Sequence, residues 1–175
     1  MPSAAPNRNC VPSPDPTGPD CCGHALSLAV QYASTAQPLP TRAQIRRWIL
    51  AALECSADIT VRIVDAEEAH ALNRDYRHKD YPTNVLTFEY GETVPGIRGG
   101  DIVICAPVVE KEATEQRKKT TDHYAHLTIH GALHLQGFDH EIEADAVIME
   151  AREAAILKRF RIANPYLAHE VTDGA

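Results

Sequence analysis

Residues 130–140 read HGALHLQGFDH, and the fold is best read outward from them. His130 and His134 stand four apart, so on a helix both imidazoles point to one side, a turn apart. Gly137 follows, a residue that ends a helix in a left-handed turn at no steric cost. That turn lets His140 return to the same point from outside the helix. Three neutral imidazoles on one centre, with a fourth position left to water, are the ligand set of a catalytic zinc. Two histidines at helical spacing alone would read as an ordinary solvated face; the third, placed after a glycine bend, points to metal. The second residue of the stretch narrows the chemistry. Zinc peptidases of the H-E-x-x-H type carry their general base there. Gly131 takes that place, so peptide hydrolysis lacks its proton acceptor. Gly131→Glu is therefore expected to keep the metal, gain no peptidase activity and lose any phosphodiester cleavage. Asp139 and Glu141 flank His140; either could orient a ligand imidazole, and Glu141 could equally cap the following helix.

The 175 residues suffice for one domain with a sizeable core. A net charge of −7 excludes an all-over basic coat for nucleic acid but leaves room for a local basic groove. No stretch approaches the ~20 apolar residues that span a bilayer, and no secretory signal is visible, so no membrane association and a cytoplasmic location are expected. Cys10, Cys21, Cys22, Cys55 and Cys105 are odd in number, lack zinc-ribbon spacing and read as intracellular thiols.

In chain order, residues 1–23 are broken by six prolines and are expected to be a disordered arm. The main domain is expected over 24–165, with a flexible tail over 166–175. A first strand is read from Ala25 to Tyr32, then a helix capped by Thr41 that buries Ile45, Trp48, Ile49, Ala52 and Leu53. Its Arg42, Arg46 and Arg47 read as a solvated face, with a nucleic-acid contact as the less favoured use. Ile59–Val64 alternates as a half-buried strand, and a short helix over Ala66–Arg74 packs through Ala69 and Leu72. Arg74, Arg77, His78 and Lys79 lead into a turn and the strand Val85–Phe88; the loop could hold an arginine over a phosphate, or be only a loop. Gly91–Gly100 reads as a connection to a short buried strand, Asp101–Cys105. A charged helix over Val108–Lys119 follows, then the histidine helix over Thr121–Gln136. His123 and His126 share its neighbourhood; either could be a fourth ligand, and a packing or supporting role is favoured for both. A last helix, Glu141–Ile162, is expected to bury Val147, Ile148, Ala151, Ala155 and Leu157, with Pro165 as its stop. The class is α+β: four strands and about five to six helices, the metal site on a helix and the turn after it.

The stretches LNRDYRHKDYPTNVLTF, GGDIVI and HLTIHGALHLQGFDH, in that order, resemble the YbeY family of bacterial rRNA maturation factors. The likeness runs from about Leu26 to Phe160. It implies a small mixed four-stranded sheet packed with helices, one zinc per chain held by His130, His134 and His140, a functional arginine at Arg77, and single-strand-specific endoribonuclease activity. The chain departs at Glu89, where the family commonly has proline. The function so implied is zinc-dependent cleavage of single-stranded RNA in rRNA maturation (16S 3′ end processing) and ribosome quality control. Its partners would be rRNA, the small ribosomal subunit and associated proteins, with no DNA expected. Arg77 would stabilise charge on the reacting phosphate; water and the RNA 2′-OH both remain open as nucleophile. The alternative is a non-catalytic small-subunit assembly factor with a structural zinc site. An open fourth coordination position favours the enzyme; the acidic charge and missing carboxylate base favour the factor.

Overall fold

The computed structural model describes residues 23–167. The expected arm, apart from Gly23, and the expected tail beyond Leu167 lie outside the described residues. The elements run β1 (Leu26–Ala33), α1 (Arg42–Ala52), β2 (Ser56–Val64), α2 (Ala66–Arg77), β3 (Val85–Val94), β4 (Ile97–Cys105), α3 (Ala106–Glu115), α4 (Thr120–Leu135) and α5 (Glu143–Arg159). The α+β expectation holds: one four-stranded sheet in the order β1-β2-β4-β3. The α1 crossover makes β1·β2 parallel; the chain passes from β2 through α2 and β3 before β4 pairs parallel with β2, and the short β3–β4 turn makes that pair antiparallel.

Local chemistry accounts for the helix ends. Thr41 caps α1 by accepting from the Gln44 amide, while the Gln44 side chain accepts from the Thr41 amide. Glu67 and Glu68 in the first turn of α2, with Arg74 and Arg77 in its last, complement the helix dipole. The apolar positions then sort the layers. Ile59, Val61 and Ile63 of β2 and Ile102 and Ile104 of β4 belong to one core cluster with Ile45, Trp48 and Ile49 of α1, Leu127, Ile129 and Leu133 of α4, and Met149 and Leu157 of α5. Val103, Cys105 and Leu86 belong to a second, smaller cluster with Ala69 and Leu72 of α2. At about 1.5–3 kcal/mol for each large aliphatic side chain fully buried, the first cluster dominates. It is built around α4, whose Tyr124, Ile129 and Leu133 are almost wholly inaccessible.

Three expectations need correction. Gly91–Gly100 is not a connection: β3 runs on to Val94 and β4 begins at Ile97, so the segment is a long hairpin with Gly96 at φ +80° in its turn. The α1 arginines are not simply solvated, because long side chains beside an edge strand can reach its unpaired carbonyls. Arg42 donates to the Leu28 carbonyl at 2.7 Å and Arg46 to that of Leu26 at 3.3 Å, and Arg47 sits over the Phe160 ring at 5.7 Å. Finally, α5 ends at Arg159, well before Pro165, and presents a different face. Of the five expected core residues only Leu157 is buried; Val147 and Ile148 are 61 % and 54 % exposed. The buried positions are Met149, Glu153, Ile156 and Leu157. Several helical faces of α5 are similarly apolar, and packing on α4 chose the one that includes a carboxylate. Cys105 is a free buried thiol. Among the described residues, no helix is long and apolar enough to cross a membrane.

Candidate metal centre

The sheet positions α4 closely. Along β4, residues on one face meet successive points of the helix and its exit. A Cβ at Gly131 would lie 2.9 Å from Ile102 Cγ2, one at Gly100 would lie 2.4 Å from Leu135 Cδ2, and one at Gly137 would lie 2.8 Å from Arg98 Nη1. Glycine at 131 thus serves the approach of helix to sheet. The expectation that Gly131→Glu keeps the metal and loses only phosphodiester cleavage does not fit this packing, because that side chain would enter the packed face against Ile102.

The helix ends as the glycine suggested. Gly137, at φ +93°, donates to the His134 carbonyl at 2.9 Å, and Phe138 donates to that of Leu133 at 3.1 Å. This pair of bonds is a Schellman turn, which needs a left-handed residue at the glycine position. Asp139 then accepts the backbone N–H of His140 at 2.7 Å and of Glu141 at 3.3 Å. Its carboxylate therefore shapes the turn that carries His140 and is not bonded to an imidazole. Glu141 caps nothing, since α5 starts at Glu143 with Ile142 before it.

The turn brings His140 back to the helix, and ring nitrogens of His130, His134 and His140 all lie within 4.8 Å of one another. The Nε2 atoms of His130 and His134 are 3.2 Å apart. Two nitrogens bound tetrahedrally to one zinc, each at about 2.0–2.1 Å, would stand ~3.3 Å apart, so this pair already has the spacing a metal needs. Burial, with His130 and His140 alongside, pushes the His134 imidazole down to about 4, against a smaller opposing pull from Asp139. A neutral imidazole at pH 7 is the form that binds metal. The residues present fit zinc on donor type, number and convergence.

The group that sequence reading missed is Glu153 of α5. Its side chain is 0 % exposed. One carboxylate oxygen meets His130 Nδ1 at 2.6 Å and the other meets His126 Nε2 at 3.0 Å, and the Tyr166 hydroxyl donates to it as well. Burial alone would raise this carboxyl, but the hydrogen bonds from His126 and His130, the His130 charge and Tyr166 outweigh it and hold it down to about 2. An anion at Nδ1 places the ring proton there and turns the His130 Nε2 lone pair toward the other histidines. His126 is thus a supporting residue, as expected. His123 is buried against Glu112 of α3 at 2.6 Å and holds α3 to α4. The signal for Glu153 in the sequence was a carboxylate four residues after Met149 and three before Ile156, in line with two buried positions.

Arg77 is not drawn into this cluster. It is the exposed last residue of α2, the helix whose core contacts lie in the second cluster, and among the described residues no hydrogen bond or ion pair engages it. The loop after it is built, however: Asn73 Nδ2 donates to the Tyr81 carbonyl at 2.6 Å, and His70 meets Asp80 at 2.7 Å.

Residues 31–161 match the family model described as endoribonuclease YbeY. Proteins named endoribonuclease YbeY are similar to it: that of Thiobacillus denitrificans is 70 % identical over 141 residues, covering 81 % of this chain and 96 % of the relative. That of Nitrosospira multiformis is 52 % identical over 161 residues, with 85 % of each chain covered. The solution structure of TM1509 from Thermotoga maritima is similar at a TM-score of 0.48 and 22 % identity, covering 77 % of this chain and 91 % of that one. The match runs from the end of β1 through α5 and contains all three converging histidines, and the chain belongs to the YbeY family.

Proposed function

We propose that this protein is a zinc-dependent endoribonuclease that cleaves single-stranded RNA and acts in rRNA maturation at the 16S 3′ end and in ribosome quality control. The observation that carries the reading is the convergence of His130, His134 and His140 with no fourth protein ligand among the described residues. Such a set leaves a position for substrate. The relatives' shared name, endoribonuclease YbeY, supports RNA as that substrate.

The residues divide the work as follows. His130, His134 and His140 hold one zinc ion, and Glu153 keeps the His130 proton on Nδ1. When bound, the ion supplies Lewis acidity at the scissile phosphodiester. Arg77, exposed at the end of α2, grips phosphate oxygens with its guanidinium fork and offsets charge that builds during cleavage. No carboxylate base adjoins the centre on α4, because glycine occupies position 131. Ribosomal RNA, the small subunit and its proteins are the partners this reading gives, in the cytoplasm.

The test uses two variants. Wild type should carry about one zinc per chain, and His134→Ala well under one. Arg77→Ala should keep zinc content and Tm while cutting single-stranded RNA about a hundred-fold more slowly, the scale of losing one charge-stabilising donor. If zinc-loaded wild type cuts no RNA, the chain is a non-catalytic assembly factor with a structural zinc.

A further inference from the structure

The geometry points to Arg98 of β4 as a second phosphate-binding residue, one that holds the backbone of single-stranded RNA beside the three-histidine centre. This rests on the reading of the chain as an RNA-binding enzyme.

Position is the first argument. Arg98 is the residue of β4 that meets the chain where it leaves α4, after Ile102 under Gly131 and Gly100 under Leu135. Its guanidinium lies against Gly137, with Nη1, Cζ and Nη2 at 2.8, 3.4 and 3.4 Å from where a Cβ would stand. Gly137 is midway between His134 and His140. A cation held there sits on the rim of the metal centre, fixed by the strand behind it and by the absence of a side chain in front.

The second argument is what Arg98 lacks. Its side chain is half-buried, yet among the described residues no hydrogen bond or ion pair engages it. A planar fork of five N–H donors is normally satisfied by carboxylate, phosphate or carbonyl oxygen. Carboxylates are near without being bonded. Glu89 stands opposite Gly100 across the β3–β4 pair. Partial desolvation raises its carboxyl, Arg98 opposes the rise and Asp139 adds to it. Arg98 therefore lies within electrostatic reach of an acidic rim while its donors stay open.

The residue lies outside the three stretches that carry the family resemblance, one position before GGDIVI. Only the register of β4 against α4 brings it under the ligand turn.

The experiment compares zinc-loaded wild type, Arg98→Gln and Arg98→Lys in binding a fluorescent single-stranded 2′-O-methyl oligoribonucleotide across a salt series, and in cleaving the matching RNA. Each phosphate contact on a single strand contributes ~0.7 to the slope of log affinity against log salt. Arg98→Gln should bind about ten-fold more weakly, the scale of one lost charge-assisted bond. Its slope should be shallower by ~0.7, and its KM raised with kcat little changed. Arg98→Lys should keep most of the slope. Zinc content and Tm should match wild type in both. If wild type binds and cuts RNA and Arg98→Gln equals it in affinity and slope, the assignment of Arg98 is wrong and the enzyme reading stands. If Arg98→Gln instead loses zinc or Tm with its slope intact, the residue is a structural brace and the assignment is equally wrong. If wild type binds no RNA, the enzyme reading fails first and this one falls with it.

Discussion

Exchanging Glu153 for glutamine tests the centre at the one point where a single atom pair sets a ligand. The substitution is nearly isosteric and removes one negative charge from a side chain that is 0 % exposed. The carboxyl of Glu153 is held at about 2 instead of 4.5. A depression of that size corresponds to about 3 kcal/mol of folding stability. Because the folded value is depressed, this contribution is fully present above pH 4.5 and is lost as pH falls toward about 2. The glutamine oxygen can still accept from His130 Nδ1, which recovers about 1 kcal/mol of a neutral hydrogen bond. The metal-free variant should therefore be less stable than metal-free wild type by about 2 kcal/mol at pH 7, or roughly 4–8 °C in Tm for a domain of this size. The metal feels the same change, since a neutral acceptor makes His130 a weaker donor. Zinc affinity should drop about 10- to 100-fold, as when an outer partner of a ligand histidine is lost. Chelator competition at pH 7.5 reads the affinity, and melts in excess chelator read the stability. Wild-type zinc affinity in Glu153→Gln, with unchanged metal-free Tm, would refute the claim that this carboxylate sets the His130 proton.

Two further perturbations probe the surroundings. Gly131→Ala should lower Tm: overpacking against Ile102 costs about 1–3 kcal/mol and the gain in helix propensity returns no more than ~1. Gly131→Glu should fail to fold normally, so a variant that melts like wild type and hydrolyses peptides would contradict the placement of this residue against the sheet. The second is pH. Burial lowers the His123 imidazole, with the Glu112 hydrogen bond opposing. The unfolded chain therefore takes up this proton first, and metal-free stability should be full above pH 6.5 and decline below it. His134, held at about 4, acts in the same sense. Urea midpoints at pH 7.5 and 5.5 should differ less in His123→Gln than in wild type; an equal difference would exclude His123 from the acid response.

How far the site could be read in advance depended on the range of the interactions involved. The residues 130–140 carried their own geometry: helical spacing fixes His130 and His134 on one face, and a glycine turn is a local backbone event, so Gly137 could be placed before any partner was known. The same locality made the Thr41 cap, the alternating burial of β2 and the buried run of β4 legible. What spacing could not supply was the far side of each contact. Glu153 lies 23 residues from His130, and on α5 it competed with more apolar positions that water in the end kept. Only the docking of α5 on α4 decided that a carboxylate would be buried, because its desolvation is offset by bonds to two imidazoles and a phenol that no local pattern foretells. Gly131 and Arg98 show the same limit from the sheet side. Their roles follow from the register of β4 beneath α4, a long-range alignment set by the packing of two layers.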